Sequence, residues 1–175
     1  YIIERLMKQI PNSTYVKSLY SRLLIEKGQY KSALDMVNEG LKNNPYDAKL
    51  HYLMLDLLIK EAEYKKAMIT LEGSSNHISK QAYINYKSKI YLKMGNEEKA
   101  INYSDKSIEE YPEDAYIRIS RAELMYELYN NYKDKDYNKA HKFQEKAIEN
   151  LNLAKEYTNN IDYIKKINEL KEKLE

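Results

Sequence analysis

The chain has 175 residues, 32% of them charged, a formal net charge of +2 at pH 7 and no cysteine. A mean hydropathy of −0.80, with no apolar run near the roughly 20 residues of a spanning helix, excludes direct membrane insertion through such a helix. The near-neutral charge gives no reason to expect nucleic acid. The missing cysteines exclude disulfides, thiol catalysis and cysteine-bound zinc and fit reducing and oxidising compartments alike, with the cytoplasm favoured.

The chain opens at Tyr1 with neither a methionine nor a leader pattern. Residues 1–12 carry Ile2, Ile3, Leu6 and Ile10 before Pro11, the pattern of the second helix of a truncated unit, so the whole reads as a fragment of a longer protein. A first unit follows over residues 14–47. Its helix A, 14–27, places Val16, Leu19, Tyr20, Leu23 and Leu24 on one broad face. Gly28 then stands where a helix end takes a left-handed residue, a conformation glycine reaches without a side-chain clash. Helix B, 30–42, repeats the spacing with Ala33, Leu34, Val37 and Leu41, and Pro45 cannot continue it. So short a turn forces the two helices antiparallel.

The second unit, 48–80, opens with Asp47 as an N-cap. It reads as helices over 48–60 and 64–72, the second cut short by Gly73-Ser74-Ser75-Asn76. The third, 81–114, has helices over 80–94 and 97–111, with Gly95 between them and Pro112 after them. The fourth, 115–157, carries an insertion at 129–136, Y-N-N-Y-K-D-K-D, which is either extra helix or a projecting loop. Residues 160–175 carry a narrow stripe of Ile161, Ile164, Ile167, Leu170 and Leu174 on a polar helix, as the end of a repeat array requires.

One period joins these elements. Tyr30-Lys-Ser-Ala33 returns as Tyr64-Lys-Lys-Ala67, Glu97-Glu-Lys-Ala100 and Tyr137-Asn-Lys-Ala140, so the alanines recur at intervals of 34, 33 and 40 residues. A period of this size marks a stacked helical repeat. Small residues are expected where the hairpin helices cross, pairing Ser21 with Ala33, Ser88 with Ala100 and Ala122 with Ala140, with Leu55 opposite Ala67 as the exception.

With these residues the chain resembles the tetratricopeptide repeat family, whose pattern runs W-x2-L-G-x2-Y, then A-x3-F, then P. The first half stands here as Lys17, Tyr20, Ser21, Leu24; as His51, Met54, Leu55, Leu58; as Ile84, Lys87, Ser88, Tyr91; and as Arg118, Arg121, Ala122, Met125. Tryptophan is absent, and Lys87 and Arg121 replace the usual leucine. The resemblance implies an all-α, right-handed superhelical solenoid of antiparallel hairpins with a C-terminal capping helix. It also implies a non-catalytic protein–protein interaction scaffold that takes a peptide or protein segment in a concave groove lined by the A helices.

The groove residues so implied are Tyr15, Arg22 and Glu26 in the first unit and Tyr52, Asp56 and Lys60 in the second. The third would contribute Asn85, Tyr86, Lys89 and Lys93, and the fourth Tyr116, Glu123, Tyr126 and Glu127. This is a tyrosine-lined trough of mixed charge, suited to an extended or helical peptide. The family's clamp for chaperone C-terminal carboxylates is not matched, because its places hold Ser18, Arg22, Leu53, Ala82 and Tyr86. The abundance of tyrosine, 19 residues, fits either such a surface or the composition of an AT-rich genome.

Little points to catalysis, a cofactor or a metal. His51, His77 and His141 are scattered, the four glycines never cluster, and carboxylates share helix faces with lysines. The other function class left open is self-assembly, with homo-oligomers forming through exposed repeat ends.

Overall fold

The computed structural model describes residues 2–174; Tyr1 and Glu175, the outermost residues of the first and last predicted segments, lie outside the described residues. Among the described residues there are ten α-helices and no strand. They are α1 (Ile2–Gln9), α2 (Thr14–Glu26), α3 (Tyr30–Asn43), α4 (Ala48–Lys60), α5 (Tyr64–Gly73), α6 (Lys80–Lys93), α7 (Glu97–Glu110), α8 (Ala115–Tyr132), α9 (Tyr137–Glu156) and α10 (Ile161–Glu172). The backbone divides into two compact units, Tyr1–Tyr86 and Lys87–Glu175, with the boundary inside α6. No helix among the described residues is long and apolar enough to cross a membrane.

Helix starts are fixed by short polar side chains that satisfy amide hydrogens otherwise left orphaned. Asp47 accepts from the Lys49 and Leu50 amides at 3.0 and 3.2 Å. Asp114, Asp136 and Asn160 do the same for α8, α9 and α10.

The A helices of the first three hairpins end in one pattern. Gly28 and Gly95 sit at φ +73° and +78°, and the amides of Gln29 and Asn96 reach back to Leu24 and Tyr91 carbonyls at 2.8 and 2.9 Å. The second hairpin keeps the bond, Glu63 to Leu58 at 2.8 Å, but places Ala62 at the same turn with φ +58°. An alanine side chain there crowds the backbone.

In unit 1, α1 to α5 pack in sequence order around Val16, Leu24, Ala33, Val37, Leu50, Leu55, Ala67 and Leu71, all buried. Lys17, at the tryptophan place of the repeat, is also buried, and its ammonium pairs with Glu39 at 3.1 Å. Gly40 lets α3 approach α4, since a Cβ there would stand 2.6 Å from Leu50 Cδ1. The early end of α5 is followed by a turn in which buried Ser74 bonds to the Leu71 carbonyl. His77 stacks on His51 at 5.2 Å beyond it.

In unit 2 the hydroxyl of buried Ser88 donates to the Ala100 carbonyl at 2.7 Å, which joins the two small residues expected to meet at the crossing. The α8–α9 hairpin is the longest and shares a core with α10 through Leu128, Phe143, Leu151, Ile167, Leu170 and Leu174. Ile161, placed in the apolar stripe from sequence, is 81% exposed, so the buried stripe of α10 begins later.

Half of the insertion is extra helix, because α8 runs on to Tyr132, and the rest is a tight turn. Tyr132 then ties that turn down. Its hydroxyl donates to Glu97 at 2.8 Å, and Lys139 lies 3.6 Å from its ring centre. A side-chain hydrogen bond with Tyr132, and then the charge of the Glu97 carboxylate, hold the Lys139 ammonium above the ordinary lysine range.

Candidate interaction surface

The outward side of each A helix follows from what it buries. In α2 the inward residues are Val16, Ser21 and Leu24, so Tyr15, Arg22 and Glu26, at helical spacing, face solvent. Tyr15 is 62% exposed. Arg22 and Glu26 make no side-chain hydrogen bond or ion pair with any described residue. In α4, Tyr52, Asp56 and Lys60 lie on one face at i, i+4 and i+8; Asp56 and Lys60 are exposed and Tyr52 half-buried.

Tyr86, on the part of α6 within unit 1, stacks on Tyr52 with centres 6.2 Å apart and planes 14° from parallel. Its hydroxyl donates to Asp56 Oδ1 at 2.9 Å. Asn85 beside it is half-buried. Lys60 lies 4.6 Å above the Tyr30 ring, which turns its charge toward helix B of the preceding hairpin.

The corresponding residues of unit 2 are more closely engaged. Lys93 pairs with Glu127 at 2.8 Å, and Glu123 pairs with Lys166 of α10 at 2.8 Å. Tyr126 is half-buried and stacks with Tyr129 at 6.4 Å, and Tyr116 is half-buried. Lys89 is exposed and without a partner among the described residues. Lys166 is not visible in the repeat pattern, because the period that places Glu123 says nothing of which residue of an added helix will reach it.

The B-helix sides differ as well. In unit 1 a groove of about 590 Å³ runs between α3 and α5, floored by His51, Met54 and Leu58. In unit 2 a groove of about 340 Å³ holds Arg118 and Arg121 at the places of His51 and Met54. Arg121 pairs with Asp105 at 2.5 Å, and Arg118 donates to Asn150 at 3.2 Å. His51 and Arg118 share one structural task, each bonding at 2.8 Å to the carbonyl of the proline six residues earlier, Pro45 and Pro112. With a carbonyl as partner, His51 Nε2 carries the hydrogen, and the buried Nδ1 has no hydrogen-bond partner among the described residues.

No protein-family profile and no curated protein sequence matches this chain. Solved structures do match. MamA is 18% identical with a TM-score of 0.60, over 89% of this chain and 88% of its own. TTC0263, a tetratricopeptide repeat protein of Thermus thermophilus, is 16% identical with a TM-score of 0.62, over 90% and 81%. YrrB, described as a tetratricopeptide repeat protein with an unusual peptide-binding site, is 13% identical with a TM-score of 0.56, over 97% and 92%. The chain has the all-α fold of tetratricopeptide repeat proteins.

Proposed function

We propose that this helical-repeat chain is a non-catalytic scaffold that binds a peptide or an extended protein segment along the outward face of the unit 1 A helices α2 and α4. The observation that carries the reading is on α2. Tyr15 is largely exposed, and Arg22 and Glu26 have no partner within the described chain. Exposed charges that stabilise nothing internally remain available to steer and orient a partner. Tyrosine supplies contact area with a polar tip at low cost in side-chain entropy. The peptide-binding site of YrrB is a property of that protein, and it supports the reading by fold alone.

The test is a solution screen of fluorescein-labelled decapeptides by anisotropy, followed by the best binder against Tyr15→Ala and Arg22→Ala. Each substitution is expected to weaken binding at least threefold while leaving the thermal midpoint within about 2 °C, as for a surface change. Binding that survives both substitutions would sink the reading.

A further inference from the structure

The reading above, on which this inference rests, leaves the partner's chemistry open, and the charges of unit 1 narrow it. Arg22 and Asp56 hold the same position of successive repeats, 34 residues apart, on helices α2 and α4, which pack directly together. Both are exposed. They present a cation and an anion side by side across the direction of stacking. Tyr52 lies one turn before Asp56 on the same face of α4 and stacks on Tyr86. The Tyr86 hydroxyl bond holds the Asp56 carboxylate in place.

Packed helix axes stand about 8–10 Å apart, so a partner crossing from α2 to α4 must place complementary charges at that separation on one side of its chain. A β-strand does not do this. At about 3.3 Å per residue its same-side positions fall near 6.6 and 13 Å. A polyproline II segment does, because its three-residue turn returns a side chain to the same side after about 9.3 Å. Its rigid backbone also loses little entropy on docking, and proline rings stack well on tyrosine.

We propose that the partner of this face is a polyproline II segment carrying an acid and a base three residues apart, the acid at Arg22 and the base at Asp56.

The experiment uses the full chain and labelled peptides with Gly-Ser flanks around Glu-Pro-Pro-Lys, with Glu-Pro-Lys, Glu-Pro-Pro-Pro-Lys and Lys-Pro-Pro-Lys as comparisons, titrated by anisotropy and by NMR. The three-residue spacing is expected to bind about fivefold more tightly than the other spacings at low salt, the scale of two exposed ion pairs. The advantage should shrink at high salt.

Arg22→Glu is the informative variant, since Arg22 has no partner to lose among the described residues. It should reverse the preference toward Lys-Pro-Pro-Lys, with an unchanged circular dichroism spectrum. Equal binding at every spacing, or a preference that Arg22→Glu leaves in place, overturns this inference. If unrelated decapeptides still bind the face in that case, the scaffold reading stands; if no peptide of either set binds, both fail.

Discussion

The two units use the same repeat and differ in what they do with its polar positions. In unit 2 the residues outward of the A helices are largely tied to one another, Lys93 to Glu127 and Glu123 to Lys166. The B-helix groove is tied by Arg118 and Arg121, and the inserted turn by Tyr132 and Glu97. In unit 1, Arg22 and Glu26 are without partners among the described residues, the B-helix groove is floored by Met54 and Leu58, and the α5 helix ends early. Stacking rests on the small and apolar positions, most of which both units keep. The remaining positions are therefore free either to close a unit on itself or to stay open to a partner.

The largest effect should come from breaking the closure of unit 2. Ile167 is fully buried in the core that α10 shares with α8 and α9. Ile167→Ala is expected to cost about 2–5 kcal/mol in urea unfolding, the range for a large-to-small change in a packed core. A cost below about 1 kcal/mol would show that α10 is not integral to it.

Next comes the tie on the inserted turn. Tyr132→Phe keeps the ring and loses the hydroxyl bond to Glu97, which should cost about 1.5–3 kcal/mol, as for hydrogen bonds to a charged group.

Unit 1 offers the opposite sign. Ala62 sits at φ +58° where the first and third hairpin turns have glycine. Ala62→Gly should therefore stabilise by up to about 1 kcal/mol, the left-handed strain relieved less the chain entropy that glycine adds. Gly95→Ala should destabilise by a similar amount, so equal signs in the two experiments would contradict the strain argument.

The smallest effects separate the units by pH. Lys27 bonds to Glu4 at 2.9 Å and holds that carboxyl below its ordinary value. The contribution of Glu4 is present above the ordinary glutamate pKa and lost as pH falls through the depressed one. Lys139 is raised instead, so its contribution is complete below the ordinary lysine pKa and lost as pH rises through the raised one. Hydrogen exchange should accordingly show α1 loosening first in acid and the start of α9 first in alkali.

Much of the fold was legible because its punctuation is chemical. Gly28 and Gly95 lie in the left-handed region, and Asp47 caps α4, each for the reason its residue type suggests. Ala62 was not legible as a turn residue, since alanine has no preference for that conformation and only the surrounding hairpin enforces it. Lys17 shows the same limit. A lysine at a core position is invisible to apolar periodicity, and it is tolerated because Glu39 reaches it. For the interaction face, helical period sets which way Tyr15, Arg22 and Glu26 point. Whether such charges are already paired depends on distant residues, as Lys166 shows for Glu123.

The most direct measurement is a two-dimensional NMR titration of the full chain with the tightest decapeptide from the screen. Binding along the open A-helix face predicts shift changes concentrated at Tyr15, Arg22, Glu26, Tyr52 and Asp56, with the paired residues Glu123 and Glu127 unmoved. Shifts confined to the B-helix groove lined by Leu34, Leu41 and Ile69 would contradict it and move the site to the other side of unit 1.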